Sequence, residues 1–423
     1  MDRIDKGYID WLRYRTVLYD PLTGIPTVEA RMDEIRKVLR NNGRILVLYF
    51  SFLEKLERFI GRENFDSLFI KAIASIKANI ENGILCLLGS GSGEVIMFVE
   101  PDTKNSNRSA ESYKEEIERI VTETLKNSSI VSAIEPVYRI GTSYLIFDPL
   151  IKFERQVHNA IIMSISDAIQ REESIRKKKV EEMEWIIANN MLVTYYQSIV
   201  NLEDYSIIGF EALNRAKDSA YFPNAEYFFA FALETDLLFD LERLCRLNAV
   251  RNFEKLDDYR LFINFAPKSI YDPELFSENF LEEIENKSLS PENVVFEITE
   301  RLSVIDFPSF KEAIDRLRGM GFGIAIDDMG TGFSTLQSVA EISPDFLKYD
   351  MALVRNIHQD HIKQAILETL VPFAEKINAT IIAEGIENPE DLKTLKSLGV
   401  RYGQGFLLAH PKPPPLSLEI NRV

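Results

Sequence analysis

The second half of the chain alternates short apolar runs with longer amphipathic stretches, and this rhythm limits the possible folds more than any other feature. The runs fall at 192–200, 207–213, 261–265, 294–299, 323–326, 346–348, 380–383 and 403–407. Strand-length runs separated by helix-length segments are the pattern of repeated βα units. Eight of them within residues 191–423 predict an α/β fold, a (β/α)8 TIM-like barrel. Only a hairpin-length link, 201–206, separates the first two runs, so one strand, the second, is expected to run antiparallel to its neighbours.

Residues 1–150 read as a separate small α/β domain. A helix within 1–20 ends at the turn Asp20-Pro21-Leu22-Thr23-Gly24. There follow a helix over 27–39, an apolar run at 45–50, helical periodicity to residue 78, strands at 84–88 and 95–99, and a polar loop over 101–110. A further helix and a last strand complete the domain near Asp148. Between 151 and 190, Val157, Ile161, Ile165, Ile169, Val180, Met183 and Ile187 recur at helical spacing, which predicts a connecting helix. Its apolar stripe suits either pairing with a second copy, giving a homodimer, or packing on the chain's own domains.

The formal net charge of −17 argues against long nucleic acid as a partner, since that binding needs surplus Lys and Arg. No run approaches the ~20 apolar residues of a membrane span. The first residues lack the apolar core of a signal peptide. Cys86 and Cys245 stand far apart in no motif. The cytoplasm is the expected compartment.

The chemistry-bearing residues cluster at the ends of the apolar runs. Asn264 closes 261–263, Glu297 follows 294–296, and Asp327 with Asp328 closes 323–326. Lys348 and Asp350 end the next run, Glu384 follows 381–383, and Glu211 lies within 207–213. One acid after a strand reads as a helix cap. Acids on so many strands of a barrel instead meet in one cleft, because the C-terminal strand ends share one face. Crowded carboxylates resist ionisation unless countered, and divalent ions are the natural counter-charge. Oxygen ligands select hard ions such as Mg2+ or Mn2+. Such ions suit phosphodiester hydrolysis, generating a nucleophile and stabilising the leaving oxygen. His358 and His361 share a spacing that zinc could use, but no strand end or cysteine accompanies them, and a solvated helix face is the plainer reading. Gly330-Thr331-Gly332-Phe333-Ser334 reads as a loop beside the cleft.

The segment Glu211-Ala212-Leu213-Asn214-Arg215 resembles the Glu-Ala-Leu-x-Arg signature of the EAL phosphodiesterases. The likeness extends through Tyr196-Gln197, Asn264 with Pro267, Glu297-Ile298-Thr299-Glu300, Asp327-Asp328-Met329-Gly330-Thr331-Gly332-Phe333-Ser334, Lys348-Tyr349-Asp350, Ala383-Glu384-Gly385-Ile386-Glu387 and Gly403-Gln404-Gly405-Phe406. The resemblance implies hydrolysis of cyclic di-GMP to linear pGpG with two Mg2+ or Mn2+ ions. It implies that Glu211, Asn264, Glu297 and Asp327 hold one ion, and that Asp327, Asp328 and Glu384 hold the second. Lys348 and Asp350 would orient the attacking water, and Gln197, Arg215, Glu387 and Gln404 would contact substrate. Glu300 would anchor the glycine loop. Ser198, Ala216 and Met329 depart from the family pattern without touching a ligand position. A receptor or scaffold that binds cyclic di-GMP without cleaving it is the alternative from another class.

Asp20-Pro21-Leu22-Thr23-Gly24 likewise resembles the opening motif of GGDEF diguanylate cyclase domains. Tyr49 and Ser51 stand where that family carries aspartates, and Gly93 in Gly91-Ser92-Gly93-Glu94 stands at the metal-binding acid. The resemblance therefore implies a degenerate GGDEF-like domain without cyclase activity, serving regulation, dimerisation or a regulatory protein partner.

Overall fold

The computed structural model describes residues 18–20, 22–80, 83–89, 93–100, 109–126, 138–254, 258–299, 307–329 and 335–421. The side chains of Phe59, Lys126, Thr299, Asp328 and 335–338 lie outside this description. The chain divides into two compact units, Met1–Val180 and Glu181–Val423.

The first unit contains α1 (Val28–Asn42), β1 (Arg44–Phe52), α2 (Glu54–Ile60), α3 (Arg62–Asn79), β2 (Gly83–Leu87), β3 (Glu94–Val99), α4 (Ala110–Lys126) and β4 (Tyr138–Ile146). The helix α5 (Phe153–Ala188) begins here and supplies its last turns to the second unit. The helical periodicity through residue 78 is broken at Gly61, whose φ of 77° only glycine adopts readily. The turn after Asp20 forms because its carboxylate accepts bonds from the Thr23 N–H and hydroxyl, both at 2.8 Å. The strands form one antiparallel sheet in the order β2-β3-β1-β4. Alternation along β1 divides the core. Leu46, Leu48 and Phe50 pack with α3 and α4, while Ile45, Val47 and Tyr49 pack with α1 and the first turns of α5. The expected helix over residues 1–17 and most of the polar loop lie outside the described residues.

The second unit is a closed eight-stranded barrel. Its elements are β5 (Leu192–Asn201), β6 (Ile207–Ala216), α6 (Ala225–Leu233), α7 (Leu238–Arg251), β7 (Arg260–Phe265), α8 (Glu278–Asn286), β8 (Val294–Thr299), α9 (Phe307–Gly319), β9 (Gly323–Met329), α10 (Thr335–Ile342), β10 (Phe346–Tyr349), α11 (Met351–Val354), α12 (His361–Lys376), β11 (Thr380–Ala383), α13 (Pro389–Ser397) and β12 (Tyr402–Gly403). The odd strand is the first, not the second: β5 runs antiparallel to both β12 and β6, whereas β6 and β7 are parallel. The run expected over 403–407 pairs as a strand only at Tyr402 and Gly403; beyond it Gly405 lies so close to the Ile386 backbone that a Cβ would not fit. Cys86 and Cys245 are both buried free thiols. Among the described residues no helix is long and apolar enough to cross a membrane.

The barrel interior has two levels. Ile199, Phe262, Val295, Ala325, Phe346 and Ile382 form an apolar floor, with Phe262 and Phe346 edge to face at 5.2 Å. Two residues further along five of these strands stand Asn264, Glu297, Asp327, Lys348 and Glu384. The strand period of two thus sends each of them inward, one level above the floor.

Candidate active site

Lys348 stands at the centre of the upper level, 1% exposed. Its Nζ lies 2.7 Å from Glu384 Oε1, 2.8 Å from Glu297 Oε1, and 3.3 Å from both Glu211 Oε2 and Asp327 Oδ1. Asn264 Nδ2 donates to Glu211 Oε1 at 3.0 Å. Gln404 Nε2 donates to Glu211 Oε2 at 2.6 Å and to Glu384 Oε1 at 3.1 Å. Side chains from six strands and the β12 exit loop therefore form one network. Gly385 follows Glu384 with φ 65°, and a Cβ there would sit 2.4 Å from Met351 Cγ. Only glycine lets the chain turn away so tightly after this acid.

The electrostatics divide the acids. Burial would raise Glu211, but the Lys348 charge and the bonds from Gln404 and Asn264 outweigh it and hold this carboxyl below its usual range. Burial raises Glu297 well above that range, helped by the neighbouring Glu211 charge. Burial likewise raises Glu384, against the opposing pull of Lys348. Lys348 is pushed well above an ordinary lysine, because Asp327, Glu211, Glu297 and Glu384 together overcome its burial. It is a cation at neutral pH, and further positive charge is what would hold Glu297 and Glu384 ionised as well.

The residues fit hard divalent ions by their chemistry. Every donor is oxygen, and the buried Glu297 Oε2 makes no hydrogen bond. Among the described residues, however, no three His, Cys, Asp or Glu side chains are arranged as a metal cage. The acids converge on Lys348 instead.

The remaining residues expected from sequence sit around this centre. Gln197 is buried and donates to the Ala409 carbonyl at 3.0 Å. Arg215 ends β6 half-buried, its guanidinium carbon 5.5 Å from the Tyr195 ring centre. Glu387 lies at the rim, 3.2 Å from Arg355 Nη2. Asp350 caps α11, accepting from Ala352 N–H at 2.7 Å. Glu300, the Asp328 side chain and the loop 330–334 lie outside the described residues.

Several features carried no local sequence signal. Gln404 bridges two acids, and Arg355 pairs with Glu387, through long-range contacts. A cavity of about 360 Å3 opens beside Glu211, Asn264 and Arg215, walled by Phe229, Glu242 and Pro267. Burial pushes the Glu242 carboxyl up to about 7, with Arg246 acting against it. His358, rather than lying free on a solvated face, is tied through Nδ1 to Asp391 at 2.6 Å.

Several known proteins are similar to this chain. Cyclic di-GMP phosphodiesterase PdeR of Escherichia coli is 29% identical over 235 residues, 54% of this chain and 35% of the relative. Bifunctional diguanylate cyclase/cyclic di-GMP phosphodiesterase MucR of Pseudomonas aeruginosa is 23% identical over 415 residues, 94% of this chain and 60% of the relative. The chain thus spans less than two thirds of either protein. The solved structure described as PaMucR phosphodiesterase in complex with c-di-GMP superposes with a TM-score of 0.51 and 26% identity, covering 56% of this chain and 98% of that one. The EAL-domain family profile matches residues 179–411, more than half of the chain. With its strand-end acids gathered on Lys348, this chain belongs to the EAL-domain family.

Proposed function

We propose that the barrel hydrolyses cyclic di-GMP to linear pGpG, using two Mg2+ or Mn2+ ions held by Glu211, Asn264, Glu297, Asp327, Asp328 and Glu384. The observation that carries this reading is the buried Lys348 shared by four carboxyl groups, of which Glu297 and Glu384 call for further positive charge to ionise. Bound there, divalent ions supply a nucleophile at neutral pH and stabilise charge on the phosphoryl and leaving oxygens.

The chain's own residues supply the rest. Lys348 stays protonated, so it orients and polarises water rather than abstracting its proton, and Asp350 at the same strand end assists. The amides of Asn264 and Gln404 both donate to Glu211, which holds its carboxylate in place. Arg215, Gln197, Glu387 and Gln404 contact the cyclic dinucleotide. Glu300 anchors the loop 330–334. The similarity to two proteins named as cyclic di-GMP phosphodiesterases supports this assignment.

Residues 1–150 form a degenerate GGDEF-like domain that regulates the barrel, joined by the helix within 151–190 to the domain at 191–423. Tyr49 in place of an acid supports the loss of cyclase chemistry: its hydroxyl donates to Glu94 at 2.7 Å, and burial pushes its phenol up to about 12. The protein acts in the cytoplasm as a homodimer, with the first domain open to a regulatory partner.

Chromatography of cyclic di-GMP and pGpG after incubation with purified protein and Mn2+ tests the activity. The wild type should form pGpG, and Glu211→Ala should lose at least about a hundredfold in rate. Tight, metal-independent binding without product would instead establish a receptor.

A further inference from the structure

We propose that Glu182 is a positioning residue for Arg215: the last turns of α5 grip the loop after β6 and thereby set the affinity of the barrel for its cyclic dinucleotide. This rests on the reading above that Arg215 meets the substrate.

Within the second unit, Glu182 Oε1 accepts from the Ser219 hydroxyl at 2.7 Å and from the Ala220 N–H at 3.0 Å. Ser219 uses its remaining capacity to accept from the Phe222 N–H at 2.8 Å. Phe222 packs on Phe228 and Phe231 of α6, with ring centres 4.9 and 5.5 Å apart. The loop that leaves β6 is therefore bound at one end to a carboxylate on α5 and at the other to the aromatic core. It needs such holding, because Asp218 has a φ of 50°, a conformation most residues avoid.

The same helix also reaches Arg215 from the other side. Met183 and Ile186 bury one face of its last turns. Just past the helix end at Ala188, the Asn190 side chain accepts from Asn248 Nδ2 at 2.6 Å, and the Met191 carbonyl then accepts from the Lys217 N–H at 2.9 Å. Two residues further, Val193 pairs with Arg215 across β5 and β6. Arg215 is thus bracketed by the strand that α5 leads into and by the loop that Glu182 holds. Both bonds are charge-assisted, which makes them stronger than neutral ones and suits them to this task. Glu211, the member of the Lys348 network on β6, is held by Asn264 and Gln404 from other elements and lies four residues before Arg215, so a shift of α5 is read as a change in affinity before any change in the bond-breaking step.

The test uses the full chain, with cyclic di-GMP binding measured by calorimetry and hydrolysis followed with Mn2+. Glu182→Ala should raise Kd and KM roughly fivefold to tenfold, the lower end of coupling between sites, while kcat stays within about twofold. Glu182→Gln keeps an acceptor and should restore most of the affinity. Arg215→Ala combined with Glu182→Ala should be no worse than Arg215→Ala alone, because the effect passes through that arginine. Unchanged Kd and KM, a fall confined to kcat, or full additivity would each overturn the proposal. Should Glu182→Ala not fold, Ser219→Ala removes the side-chain donor and must show the same split. A wild type that binds without cleaving overturns hydrolysis alone and leaves Kd to decide; one that does neither overturns both readings.

Discussion

Two sheets in this chain each present polar side chains near a strand end, and they treat charge in opposite ways. In the first unit the Tyr49 hydroxyl donates to the single carboxylate of Glu94. In the barrel, four carboxyl groups share one buried lysine. The first arrangement gathers one acid and a phenol donor, with no crowding of like charge. The second satisfies each acid only partly, and burial drives Glu297 and Glu384 toward protonation. A buried carboxylate stays ionised only where a counter-charge stands beside it, so the two places differ in how much positive charge their acids call for.

The largest expected effect breaks the barrel's side of this contrast. Lys348→Met leaves the acids without their shared cation and should cost about 3–5 kcal/mol of stability. It should also abolish hydrolysis. Denaturant melts with and without Mn2+ check this: a divalent ion should recover part of the lost stability, and a melt unaffected by the substitution would refute the role of Lys348 as counter-charge.

A middle effect concerns Glu242, raised by burial to about 7. A carboxyl raised in the folded state stabilises fully below its unfolded pKa of about 4.5, and that contribution is lost as pH rises through about 7. Glu242→Gln should therefore stabilise the protein above pH 7 by roughly 1–3 kcal/mol, with the gain vanishing toward pH 4.5. Thermal melts across this range read it directly, and a gain that grew toward acid would contradict the sign.

The smallest effect sharpens the other side. Tyr49→Phe removes one donor to the Glu94 carboxylate and should cost about 1.5 kcal/mol, with hydrolysis unchanged within about twofold. A loss of activity comparable to that of Lys348→Met would show that the first unit's bond reaches the chemistry after all.

The site's chemical groups were legible because strand periodicity is local. Once the runs at 261–265, 294–299, 346–348 and 380–383 are read as strands, alternation alone sends Asn264, Glu297, Lys348 and Glu384 to one face. The direction of the odd strand was not legible. A hairpin at 201–206 says that two strands oppose each other, and only the pairing of Tyr402 with Asn201 decides which is the exception. The close approach of Gly405 to the Ile386 backbone, just past the short last strand, is again a distant contact. For the same reason the bridge from Gln404 to Glu211, the pairing of Arg355 with Glu387 and the burial of Glu242 left no mark in local sequence. The capping role of Asp350 is local, but it is masked by the stronger expectation that an acid at a strand end serves the cleft.

The apolar floor of Ile199, Phe262, Val295, Ala325, Phe346 and Ile382 makes the barrel a dead-end well rather than a channel. Among the described residues, approach to Lys348 is from the side opposite this floor, so what binds there and what leaves share one end of the barrel.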